Sequence, residues 1–161
     1  MKRNYTKNTL LAMKKILIPT DFSENAINAT KAAAEIARKT NAELILLHIV
    51  ELPQEAMDAI NPGHEVPEII FFKQFAEQKL TEASTSPDLH GLTVYQILKL
   101  GRTLNNVTEI AETNDVDLIV MGSHGASGYK EFFIGSNAEK VVRNSEIPVL
   151  VIKNTAEELK Y

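Results

Sequence analysis

Directly after the apolar run VDLIVM stand Gly122-Ser123-His124-Gly125, and after nine intervening residues Gly135-Ser136 open a helical stretch. Glycines let a backbone approach an anion closely and turn its amides toward it, and a helix N-terminus adds unpaired donors and a partial positive charge. This is the chemistry of a phosphate cradle. A purely structural reading stands beside it: Gly122 and Gly125 turn the chain out of a strand, and Gly135 precedes a cap. Ser136 with Glu139 spells Ser-x-x-Glu, a capping box, and the same hydroxyl can instead meet a phosphate. His124 and Lys130 lie in or beside the segment and can touch a phosphate or stay solvated.

Other templates do not match. No GxxxxGK[S/T] is present, and no GxGxxG follows the first strand. GSHGASG contains no GxSxG, so neither Ser123 nor Ser127 is placed as a nucleophile. His48, His64, His90 and His124 show no paired ligand spacing, and no metal ligand is assigned. His48 reads as a hydrogen-bonded residue near a strand end. No catalytic residue is assigned.

The elements that must hold this segment follow from the hydrophobic pattern. Lys15 to Pro19 (KILIP) is a short strand, and an alanine-rich helix runs on to Thr40 with Ile27, Ala34 and Ala37 at helical spacing. Asp21 is a candidate cap for that helix, with Glu24 reaching back. Glu43 to Val50 (ELILLHIV) is almost continuously apolar, as a strand covered on both faces must be. Pro53, Pro62, Gly63 and Pro67 mark a long connection, then Ile69 to Ala83 is helical. Leu92 to Leu100 is a third strand ending at Gly101, and Thr103 to Asn114 a helix with Val107, Ile110 and Ala111 inward. Val116 to Met121 is a fourth, buried strand, Ser136 to Asn144 a short helix, and Pro148 to Ile152 a fifth strand. The alternation predicts an α/β fold: an open, doubly wound, five-stranded parallel sheet with helices on both faces, binding its ligand at the carboxyl ends of the strands.

At 161 residues the chain fits one domain, burying roughly 68–70% of the surface its unfolded chain exposes. Residues 1–12 read as a loose tail, 13–153 as the domain, and 154–161 as a C-terminal tail. The net charge of −4 is spread along the chain, and cysteine is absent. That leaves no basic footprint for nucleic acid and no thiolate chemistry. With neither a membrane-length apolar run nor a secretory signal in this sequence, a cytoplasmic location is expected.

With these residues in view, the sequence resembles the universal stress protein family from Lys14 to Lys153, through KKILIPTDFSE, ELILLHIVE, DLIVMGSHG and IPVLVIK. Gly122, Gly125, Gly135 and Ser136 match the family's G-x2-G-x9-G-[S/T] motif, the mark of its ATP-binding branch. The resemblance implies a Rossmann-like fold of the adenine nucleotide alpha hydrolase type. It implies that Pro19, Thr20 and Asp21 line the adenosine side, that Ile49, after the second strand, meets the base with its backbone, and that Met121 sits by the ribose and adenine. Gly122 and Gly125 would admit ribose and phosphates; Gly135, Ser136 and Asn137 would hold the phosphate chain. ATP is the implied ligand, with Mg²⁺ carried on its phosphates, and ADP or AMP as other resident forms. A homodimer is implied through Val149 to Ile152, which would otherwise be an exposed edge.

The expected function is a nucleotide-binding regulatory module of a stress response with at most slow ATP hydrolysis, because the cradle comes without an evident general base or arginine finger. The alternatives are an ATPase or nucleotide-dependent transferase working through Asp21, His124 or Lys130, and a scaffolding dimer with an empty cradle.

Overall fold

Among the residues that the structure describes, the apolar runs become five parallel strands in the order β3-β2-β1-β4-β5. A computed structural model describes residues 13–51, 67–101, 103–124 and 134–153. Both tails, most of the Pro-rich connection, Gly125, Ser127, Lys130 and His64 lie outside the described residues. The strands are β1 (Lys15–Pro19), β2 (Glu43–Val50), β3 (Val94–Leu100), β4 (Leu118–Gly122) and β5 (Val149–Ile152). The helices are α1 (Glu24–Thr40), α2 (Pro67–Ser84), α3 (Thr103–Thr113) and α4 (Ser136–Asn144), with a 3-10 turn at Pro87–Leu89.

Alternate strand residues face opposite layers. Ile16, Ile18, Leu44, Leu46, Leu118 and Val120 pack with the alanines of α1 and with Leu80 of α2. Leu17, Ile45, Leu47, Ile119 and Met121 pack with Val107, Ile110 and Ala111 of α3 and Ala138 and Val141 of α4. Two covered faces explain the unbroken apolar run of β2. The sheet and its two helical layers are the predicted α/β architecture.

The details differ in instructive places. Ile27 is 47% exposed; the buried stripe of α1 is Ala26, Ala29, Ala33, Ala34 and Ala37, small side chains that let the helix lie close to the sheet. β3 starts at Val94 rather than Leu92 and is an edge strand, with Tyr95, Gln96 and Lys99 exposed. α1 stops at Asn41, whose left-handed φ of 57° suits asparagine.

The chain lays β1, β2 and β3 outward in one direction, then returns to place β4 on the other side of β1. The crevice between the carboxyl ends of β1 and β4 is therefore the topological switch point, where open α/β sheets bind ligands.

Candidate functional site

At the carboxyl end of β1 the chain turns through Thr20–Ser23 into α1, and several backbone groups of the turn are hydrogen-bonded. The Thr20 N–H donates to the Leu47 carbonyl at 2.8 Å. The Phe22 N–H donates to Thr20 Oγ1 at 3.1 Å and the Ser23 N–H to Asp21 Oδ1 at 3.0 Å. Phe22 holds a left-handed φ of 64°, a conformation that costs a bulky residue roughly 1–2 kcal/mol. Its ring lies on that of His48, with centroids 4.4 Å apart.

Ser23, not Asp21, caps α1: the Ala26 N–H donates to Ser23 Oγ at 3.3 Å. Asp21 instead braces the turn before the cap. The capping box with Glu24 therefore does not form, because helix entry falls two residues later than the sequence pattern suggested.

At the end of β4, Met121 is buried and faces the same layer as Ile49. Ile49 lies inside β2, opposite Lys99 of β3, rather than beyond the strand. Gly122 pairs with Ile152 of β5. A Cβ on Gly122 would stand 2.8 Å from the Asn25 carbonyl carbon, so this glycine permits β4 and the first turn of α1 to meet backbone to backbone. Its role in the fold is close packing, and no left-handed φ is involved.

Beyond Gly122, the buried Ser123 donates its N–H to the Ile152 carbonyl at 2.8 Å, and its own carbonyl accepts the Gly135 N–H at 2.7 Å. A Cβ on Gly135 would lie 3.1 Å from that carbonyl oxygen and 3.4 Å from His124 Cα. The Ser123 hydroxyl and His124 Nδ1 are hydrogen-bonded at 3.0 Å.

Gly135 is itself the N-cap of α4 and supplies no side-chain cap. The helix thus begins one residue earlier than a Ser136 cap would require. Glu139 falls at the fourth helical position, where its carboxylate accepts from Arg143 Nε at 2.9 Å and closes no capping box. Ser136 and Asn137 are exposed in the first turn. The first backbone N–H groups of a helix have no intrahelical acceptor, and their dipoles make the end partly positive.

The structure therefore gathers Pro19, Thr20 and Asp21 from β1 and its turn, and Met121 and Gly122 from β4, around the switch point. The stapled first turn of α4 brings in Gly135, Ser136 and Asn137, and Ile49 stands near the carboxyl end of the neighbouring β2. Phe22, His48 and Ser123 are structural members of this neighbourhood that the sequence did not single out for it. No motif marks a left-handed phenylalanine or a carbonyl that staples a helix.

Residues 13–153 match the model that defines the universal stress protein family. The chain belongs to the universal stress protein family. Among curated relatives, Universal stress protein MJ0577 of Methanocaldococcus jannaschii is 35% identical, covering 87% of this chain and 94% of that one. Universal stress protein MJ0531 of the same organism is 32% identical, covering 90% of this chain and 85% of its own length. A solved structure of MJ0577 superposes with a TM-score of 0.75 at 32% identity, covering 91% of this chain and 99% of the other. Two more distant structures share the fold. A universal stress protein in complex with cAMP has a TM-score of 0.68 at 23% identity, covering 88% and 97% of the two chains. One from Archaeoglobus fulgidus in complex with dAMP has a TM-score of 0.62 at 22% identity, covering 89% and 99%. No helix among the described residues is long and apolar enough to cross a membrane.

Proposed function

We propose that this universal stress protein binds an adenine nucleotide, with ATP as the resident form, in the crevice between the carboxyl ends of β1 and β4, and that occupancy of the crevice regulates a partner in a stress response. The observation that carries the reading is the Gly135–Ser123 hydrogen bond, which fixes the donor-bearing first turn of α4 beside the switch point. The complete G-x2-G-x9-G-[S/T] spacing runs through the same segment. The cAMP and dAMP complexes of other family members support an adenine ligand.

In this reading Pro19, Thr20 and Asp21 line the adenosine side, with Ile49 and Met121 against base and ribose. Gly122, Gly125, Gly135, Ser136 and Asn137 serve ribose and phosphates. Backbone amides suit phosphate oxygens whatever the side chain, which accommodates Asn137. Mg²⁺ would arrive on the phosphates: the described residues contain no group of three histidine or acidic side chains that could hold a metal ion, and a phosphate-bound Mg²⁺ keeps several waters and few protein ligands. Two copies would associate through Val149–Ile152. Hydrolysis, where it occurs, is slow in this reading.

Denaturing freshly purified protein and identifying the released small molecules by ion exchange and mass spectrometry tests the proposal, followed by calorimetric titration with Mg-ATP. Near-stoichiometric adenine nucleotide, or binding on titration, is the expected result. The packing roles of Gly122 and Gly135 favour one rival, a scaffolding dimer whose glycines only bring backbones together. A nucleotide-free preparation that also fails to bind added Mg-ATP would select it.

A further inference from the structure

His48 lies outside the proposed binding residues, yet its ring reaches the turn that carries two of them. Its Nδ1 is 2.7 Å from the Thr20 carbonyl oxygen. A carbonyl can only accept, so Nδ1 must carry the proton and donate. The Phe22 ring covers the same imidazole, and Phe22 packs against the α1/α2 side of the core. Ile49, the next residue of β2, belongs with Met121 to the opposite side. His48 thus grips the turn from the face of the sheet away from Ile49 and Met121.

We infer that His48 is a positioning residue for nucleotide binding: its bond to the Thr20 carbonyl, with Phe22 clasped over it, holds Thr20 and Asp21 in the geometry that faces the ligand. This rests on the proposed adenine-nucleotide function. The physical need for such a grip is the left-handed Phe22. A non-glycine residue in that region persists only where its surroundings over-determine it. The over-determination here is visible: the Thr20 N–H is anchored to Leu47 and the Thr20 carbonyl to His48, while Thr20 Oγ1 and Asp21 Oδ1 accept the next two free amides of the turn. Removing the His48 bond releases the one carbonyl that ties the turn to the β2 side chain, and lets the turn relax toward conformations in which Asp21 points elsewhere.

The test compares wild type with His48→Leu and His48→Asn. Asparagine can place an amide N–H near the position of Nδ1; leucine cannot. Two quantities are read: Mg-ATP affinity by calorimetry, and amide exchange at Thr20, Phe22 and Ser23 by NMR. With leucine, affinity for Mg-ATP and for AMP falls by a similar factor of about 3 to 10, the scale of one net hydrogen bond, because the phosphate donors on α4 are untouched. Exchange at the three turn amides rises while that at Leu46 and Val120 stays unchanged. Asparagine restores most of both. If His48→Leu does not fold, His48→Gln, whose longer amide reaches past the Nδ1 position, is read in its place with the same expectation. A wild-type protein that binds while the leucine or glutamine variant binds equally well overturns the inference alone. So does an affinity loss without faster turn exchange, or one that asparagine fails to restore. A wild-type protein that binds no adenine nucleotide overturns the functional reading and this inference with it.

Discussion

The Gly135 N–H donates to the Ser123 carbonyl at 2.7 Å, while the Ser123 N–H donates to Ile152 at 2.8 Å. One buried residue thereby ties the start of α4 and the end of β5 to the end of β4. The donors of α4 consequently stand at a fixed place relative to the switch point, and any change that lengthens the staple moves them.

Gly135→Ala is the mildest such change. Its φ of −61° suits alanine, so the backbone conformation imposes no strain, but the new methyl would sit 3.1 Å from the Ser123 oxygen. We expect a loss of stability within about 1 kcal/mol, with crowding partly offset by the lower entropy of the unfolded chain. Affinity for ATP should fall more than affinity for adenosine. Urea denaturation and paired titrations check both; equal losses for the two ligands would detach α4 from phosphate binding.

Gly122→Ala should behave differently. Its methyl meets the Asn25 backbone carbon and oxygen at 2.8 and 2.9 Å, and backbone in the first turn of a helix cannot swing aside as a side-chain tip can. An overpacking cost of about 2–3 kcal/mol is expected, read as a lower urea midpoint with an unaltered m-value. A shift below about 0.5 kcal/mol would mean that β4 and α1 separate easily.

These two glycines show where sequence reasoning reaches and where it stops. Their spacing pointed to a cradle, but the atoms each one approaches belong to Asn25 and Ser123, contacts between segments far apart in the chain. The buried strands were legible because both faces of β2 and β4 are covered, which writes an apolar residue at nearly every position. The edge position of β3 shows only as exposed Tyr95, Gln96 and Lys99, a pattern that a scan for apolar runs passes over. Asp21 and Ser23 are both good caps by type, and only the left-handed Phe22 between them decides that Ser23 starts the helix. The grip of His48 on Thr20 joins β2 to the β1 turn and leaves no local trace; the sequence showed a histidine near a strand end that needed a hydrogen bond.

The choice between the two caps is measurable. Ser23→Ala removes the acceptor of the Ala26 N–H and should cost about 1 kcal/mol. Asp21→Ala leaves that cap in place and should cost less stability, while weakening nucleotide binding if Asp21 faces the ribose or adenine as proposed. Thermal unfolding of the pair, with and without Mg-ATP, separates the effects. A stability loss well below about 0.5 kcal/mol from Ser23→Ala in the ligand-free protein would contradict the cap assignment.

The proposed dimer can be tested at a single backbone group. The carbonyls of Pro148 and Ile152 accept from Ile119 and Ser123 of the β4 side. In a parallel strand the residues that bond to one neighbour alternate with those that bond to the other. Leu150 therefore bonds toward β4 as well, and the N–H groups of Val149 and Val151 point away from β4. Proline is tolerated on an edge strand when the N–H it removes points away from the sheet. Val151→Pro should accordingly leave the β4–β5 ladder intact while deleting one donor from the strand-to-strand interface and crowding its partner. Sedimentation velocity should show wild type as a dimer and the variant shifted toward monomer at the same concentration, with the far-UV circular dichroism of the two superimposable. An unshifted dimer would place the interface elsewhere than Val149–Ile152.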